Sequence, residues 1–109
     1  MKINVQPVSA AGIKVTLQKE DALIGKGYLY LLSNDLHQQP FGLIEDVSVE
    51  EIYRGQGYGK EIINTIIAEA KKRNCYKLIC TSRFSNQKAH QLYGKMGFKT
   101  HGTEFRIDF

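Results

Sequence analysis

The first half of this chain alternates between apolar and polar positions, and the second half repeats with helical period. Met1 to Val8 places Ile3 and Val5 against Lys2, Asn4 and Gln6, which predicts a strand ending near Pro7. Ser9-Ala10-Ala11-Gly12 reads as a turn. Ile13 to Gln18 alternates again, with Ile13, Val15 and Leu17 on one face. Lys19-Glu20-Asp21 is a polar turn, and Leu23 to Leu32 is an apolar run containing Gly25 and Gly27. Its Tyr28-to-Leu32 part is expected to be buried on both faces. Ser33 to Pro40 is loop, and Phe41 to Val49 is a fourth strand. Short connections with no helix among them imply antiparallel neighbours.

The period then changes. Ile62, Ile63, Ile66, Ile67 and Ala70 form one face of a helix running to about Arg73, where Asn74 is placed to end it. Lys77 to Ser82 is a fifth strand. Ser85 or Asn86 can cap a second helix that carries Ala89, Leu92, Tyr93 and Met96 on one side and stops at Gly97. Phe105, Ile107 and Phe109 alternate in a last strand. Strand, helix and strand from Phe41 to Ser82 form a crossover unit with parallel strands. The expected fold is α/β (α+β): a mixed sheet of about six to seven strands with two main helices, in one domain spanning residues 1–109.

The junction between the two periods carries the chemistry. Val47-Ser48-Val49 leads into Arg54-Gly55-Gln56-Gly57-Tyr58-Gly59-Lys60, and the helix starts there. A helix start has unpaired N–H groups and partial positive charge, and glycines let an anion approach the main chain. The fitting ligand is a phosphate or pyrophosphate, flanked by Arg54 and Lys60. Two common phosphate motifs fail on spacing. A P-loop needs four residues before Gly-Lys and then Ser or Thr; Gly55 and Gly59 enclose three, and Glu61 stands at the hydroxyl position. The dinucleotide fingerprint needs G-x-G-x-x-G and a later acid, whereas these glycines read G-x-G-x-G and Ile79-Cys80-Thr81 lies at that distance. A glycine turn alone is most often only a turn.

Composition narrows the classes. With 109 residues, 42% hydrophobic and 24% charged, the chain reads as an ordinary globular domain. No apolar run is long enough for a membrane span and no signal peptide opens the chain, so the expected location is the cytoplasm. Cys75 and Cys80 suggest no disulfide framework, and with His37, His90 and His101 they lack metal-ligand spacing. The net charge of +4 is spread among acids rather than gathered into a nucleic-acid patch.

A second pattern follows the fifth strand: Asn86-x-x-Ala89-x-x-x-Tyr93-x-x-x-Gly97-Phe98. Asn86 and Tyr93 are seven apart, two turns of one helix face. Taken alone, Asn86 caps and Tyr93 packs. Together with Arg54-Gly55-Gln56-Gly57-Tyr58-Gly59, in this order, the chain resembles the GNAT N-acetyltransferase superfamily from about Phe41 to Phe109. Gly42-Leu43-Ile44-Glu45-Asp46-Val47 and Asn74-Cys75-Tyr76-Lys77 are similar to its glucosamine-6-phosphate N-acetyltransferase branch. Two positions depart from that branch: Thr81 stands where it tends to carry an acid, and its Asn-to-Tyr spacing is shorter.

The resemblance implies acetyl-CoA as cosubstrate, an amine as acceptor and no metal. Val47, Ser48 and Val49 would meet the pantetheine as an added strand does. The turn from Arg54 and Gly55 through Gln56, Gly57, Tyr58 and Gly59 to Lys60 would hold the pyrophosphate, with Asn86 and Tyr93 as further contacts. The N–H near Val47 would polarise the thioester carbonyl, and Tyr93 would protonate the departing thiolate. Glu45 or Asp46 would take the amine proton. Strict alternation puts Glu45 with Leu43 and Val47, and Asp46 with Ile44 and Ser48, unless a bulge re-aims the strand. Glu45 is favoured slightly by position.

The family normally has two helices after its first strand, which wall the acceptor site; here only Ser9 to Gly12 separates the candidate strands. The acceptor site is then expected to be open or completed by a second subunit, with Phe105, Ile107 and Phe109 available for a homodimer by strand pairing. The competing reading is a CoA-binding module or partner subunit without turnover. A nucleic-acid binder fits poorly, because Tyr28 and Tyr30 alternate with leucines rather than with bases.

Overall fold

The computed structural model describes residues 1–109. The chain divides into two compact units, Met1–Ile79 and Cys80–Phe109.

The first unit is a four-stranded sheet with one helix. Strands β1 (Ala11–Lys19), β2 (Ala22–Leu32) and β3 (Phe41–Val49) pair antiparallel, and β4 (Leu78–Ile79) joins β3 in parallel. A 3-10 turn at Glu51–Tyr53 leads to α1 (Tyr58–Lys72). The hairpin between β1 and β2 turns through Glu20, at φ 56°.

The core lies between α1 and one face of this sheet. Ile62, Ile63, Ile66 and Ala70 of α1 are buried with Ile24, Leu29 and Ile44. Each buried isoleucine contributes about 1.5–3 kcal/mol. Gly25 and Gly27 clear the seat. A Cβ on Gly25 would lie 2.7 Å from the Ile62 Cδ1, and one on Gly27 would lie 3.0 Å from the Ile66 Cδ1. Asn74 ends α1 as expected, at φ 60°. Its N–H donates to the Lys71 carbonyl and the next N–H, of Cys75, donates to Ala70, both at 3.1 Å, which is a Schellman motif.

The second unit is built on α2 (Gln87–Lys95). Asn86, not Ser85, is the cap: its Oδ1 accepts from the Ala89 N–H at 3.1 Å. The far end is a second Schellman motif. Gly97 sits at φ 99°, its N–H donates to Gly94 at 3.2 Å, and the Phe98 N–H donates to Tyr93 at 3.0 Å. The Phe98 and Tyr93 rings close the turn edge to face, 5.5 Å apart. The Tyr-x-x-x-Gly-Phe spacing thus has a backbone reason: the aromatics stand at the two positions that meet across the motif.

Four expectations are corrected. Met1–Val8 forms no strand, and Met1, Ile3, Val5 and Val8 are exposed. Phe105, Ile107 and Phe109 are likewise exposed and unpaired. Alternation marks a segment with two faces, but a strand also needs a neighbour's ladder. The fifth strand contracts from Lys77–Ser82 to Leu78–Ile79, which pair only with Gly42 and Leu43. The sheet therefore has four strands rather than six to seven. Finally, the Tyr28-to-Leu32 part is buried on one face: Leu29 is 0% exposed and Tyr30 is 37% exposed.

Candidate functional site

The site residues of the first unit gather where β3 ends and α1 begins. Opposite β2, the register runs Tyr28 to Glu45 and then Lys26 to Ser48, so β3 carries one more residue than its partner. This is a β-bulge, and Asp46 adopts φ 51° within it. The bulge inverts the alternation. Val47 turns to the helix face, where its Cγ2 lies 3.1 Å from the Cβ position of Gly27. Glu45 stays opposite Tyr28 on the other face, and Ser48 stays opposite Lys26. The expected grouping of Glu45 with Val47 is therefore corrected: the extra residue separates them. Asp46 and Ser48 remain together. They line an open depression of about 590 Å³ with Val47, Lys26, Tyr28 and Tyr30. Glu45 is not part of that lining.

The other edge of β3 is also exceptional. Its pairing with β4 stops at Leu43, so the edge through Val47, Ser48 and Val49 has no strand partner there. Unpaired main-chain groups on such an edge accept an extended ligand as an added strand.

Beyond Val49 the chain makes the glycine turn. Gly55 is at φ 79° and Gly57 at φ 86°, with no atom within 4 Å of an added Cβ at either. Conformation, not crowding, requires glycine here. Gly57 is the N-cap of α1 and no side chain caps the helix. The first helical bond runs from the Glu61 N–H to the Gly57 carbonyl, at 3.2 Å. The amides of Tyr58, Gly59 and Lys60 precede it and have no intrahelical acceptor. Arg54 is held against the end of β3 by its Nε–H, which donates to the Val49 carbonyl at 2.9 Å. The Tyr53 and Tyr58 rings meet edge to face across the turn, 6.3 Å apart. Gln56 and Lys60 are exposed on its rim. Open amides, absent Cβ atoms and flanking cations fit a pyrophosphate.

Asn86 and Tyr93 belong to the second unit. Asn86 uses its Oδ1 as the helix cap, and its amide nitrogen remains free to donate. Tyr93 is half-buried; burial, and after it the Cys80 sulfur, hold its phenol above the ordinary range, so it stays protonated at neutral pH. Burial pushes the Cys80 thiol up to about 11, which makes it a poor nucleophile. No group of three or more His, Cys, Asp or Glu side chains could hold a metal ion, and no helix is long and apolar enough to cross a membrane.

The sequence pattern gives Lys26 no role and counts Tyr28 and Tyr30 only against a nucleic-acid binder, because all three lie inside an apolar run. It also passed over Ser82, whose Oγ is buried without a hydrogen-bond partner. Nothing in the sequence around Ser82 marks it.

A strand edge left open, a bulge and an uncapped glycine turn stand together at one end of this α/β unit. Residues 7–98 match the acetyltransferase (GNAT) family, and the chain belongs to that family. The glucosamine 6-phosphate N-acetyltransferase of Trypanosoma brucei brucei is 39% identical over 67 residues, covering 62% of this chain and 44% of the relative. The chain thus spans under half of that curated relative. Among solved structures, an acetyltransferase from Trypanosoma brucei superposes with TM-score 0.75 at 30% identity, covering 88% of this chain and 69% of the other. The glucosamine-6-phosphate N-acetyltransferase of Arabidopsis thaliana superposes with TM-score 0.80 at 23% identity, covering 90% and 67%, and shares the fold.

Proposed function

We propose that this chain is an acetyl-CoA-dependent N-acetyltransferase domain, residues 1–109, that moves an acetyl group directly to a primary amine. The observation that carries the reading is the uncapped α1 N-terminus, whose glycine turn follows a strand with an open edge. Acetyl-CoA supplies an acetyl group activated as a thioester. The amides at Tyr58, Gly59 and Lys60, with Arg54 alongside, bind its pyrophosphate. Val47, Ser48 and Val49 offer main-chain groups to the pantetheine. The Val47 N–H, beside the bulge, donates to the thioester carbonyl as negative charge develops on its oxygen.

The amine nitrogen forms the new C–N bond, the C–S bond breaks, and one proton must leave nitrogen while one reaches sulfur. Asp46 and Glu45 are the two bases in reach of this strand. The bulge supports Asp46, which lines the depression. Tyr93 delivers a proton to the thiolate. Glucosamine 6-phosphate is the first acceptor to try, because curated relatives from Trypanosoma brucei brucei and Oryza sativa subsp. japonica are named for it. A homodimer through Phe105, Ile107 and Phe109, and a cytoplasmic location, complete the reading.

A second reading is a CoA-binding module without turnover. Release of CoA thiol with a panel of primary amines decides between them. The enzyme reading expects turnover that falls about 10²-fold or more in Tyr93→Phe, with acetyl-CoA binding retained. Binding of acetyl-CoA with no acetylated amine from any acceptor favours the module.

A further inference from the structure

The outward face of β2 holds a row of side chains to which nothing above gives a role. Lys26, Tyr28 and Tyr30 project from alternate positions, opposite Ser48, Glu45 and Leu43 of β3. The Tyr28 and Tyr30 rings lie parallel, with 6° between planes and 6.3 Å between centroids, and form a flat wall. Lys14 of β1 is paired with Tyr28 and brings its Nζ 6.0 Å from that ring. Gly12, opposite Tyr30, has no side chain; a Cβ there would stand 3.2 Å from the Tyr30 ring. With Asp46, Val47 and Ser48 the row lines one depression.

The polar groups of this depression are unclaimed. The side-chain hydrogen bonds and ion pairs of the chain involve none of Lys26, Tyr28, Tyr30, Asp46 or Ser48. Lys26 and Asp46, of opposite charge, line the same depression without pairing. A flat aromatic wall, a free cation and a free anion beside the unpaired bulge peptide describe a small-molecule site more closely than a packing surface.

We propose that Lys26, Tyr28 and Tyr30 form the acceptor-reading row, and that the acceptor is an amine bearing its own anionic group. Asp46 faces the amine, Lys26 pairs with the anion, and the tyrosine wall covers the apolar side of the molecule between them. The inference rests on the acetyltransferase reading, because it places the acceptor beside the bulge that serves the thioester. Lys26 and the tyrosines are specificity-determining residues and take no part in bond making.

The test is a titration of the full chain with CoA present, followed by amide NMR shifts. The probes are two matched pairs: glucosamine 6-phosphate with glucosamine, and O-phosphoethanolamine with ethanolamine. The phosphorylated member of at least one pair should bind about tenfold or more tightly than its twin, as a charge-assisted contact implies. Its shifts should centre on Lys26–Tyr30 and Asp46–Ser48. Lys26→Met should erase the preference and Lys26→Glu reverse it, with CoA-induced shifts at Gly55–Lys60 unchanged. Tyr28→Ala should weaken the glucosamine pair more than the ethanolamine pair. Equal affinities within both pairs, absence of binding by all four probes, or a preference surviving Lys26→Met would overturn the proposal. Loss of CoA shifts at Gly55–Lys60 in the wild type would instead overturn the cofactor reading.

Discussion

The two helices of this protein solve the same problem in opposite ways. Helix α1 buries Ile62, Ile63, Ile66 and Ala70, and its N-terminus has no side-chain cap. Helix α2 buries no residue, yet Asn86 caps its start and a Schellman turn with an aromatic contact closes its end. Packing along its flank is worth several kcal/mol to α1, against about 1 kcal/mol for a cap. A helix held by its flank can leave its first amides open for a ligand. A helix held by its ends cannot. The contrast leaves the first amides of α1 open, and it explains why the Asn86 carbonyl oxygen serves structure first.

Cutting into the flank of α1 should have the largest effect. Ile66→Ala should cost about 2–5 kcal/mol in chemical denaturation, since the side chain is fully buried. Next comes the end of α2. Gly97→Ala forces an alanine to φ 99° and should cost about 1–3 kcal/mol, seen as faster hydrogen exchange within α2. Asn86→Ala should cost about 1 kcal/mol and fray α2 from its start, leaving α1 protection unchanged. If Asn86→Ala loosens α1 as much as α2, the contrast fails.

The smallest effect is a pH dependence. Cys80 rises from its ordinary 9.0 to about 11 in the folded chain. Its proton is held more tightly when folded, so its contribution is complete below pH 9 and is lost as pH rises toward 11. Cys80→Ser should flatten the melting profile across that window. Thiol labelling of the wild type should stay slow at pH 8.

Much of this architecture was legible in the sequence. The three antiparallel strands, both helices, Asn74, Asn86 and Gly97 follow from period and capping rules, because those signals are local. The glycine turn was legible for the same reason: few residues tolerate φ near 80°. The terminal segments were not, since Ile3 and Val5, or Phe105 and Ile107, carry a strand's alternation without specifying a neighbour. The bulge was not legible either. Asp46 is no glycine, and its left-handed backbone is set by the register of β2 against β3 rather than by its own preference. That one residue decides which carboxylate lines the depression.

Thermal unfolding with and without saturating acetyl-CoA, in the wild type and Gly59→Glu, tests the central claim most directly. A Cβ at Gly59 meets only the Val49 Cγ2, at 3.8 Å, so this variant should fold while placing a carboxylate at the phosphate position. Ligand at about 100 times its dissociation constant should raise the wild-type midpoint by on the order of 10 °C, and Gly59→Glu should show no rise. An unmoved wild-type midpoint at millimolar acetyl-CoA, or equal rises in both proteins, would contradict the account.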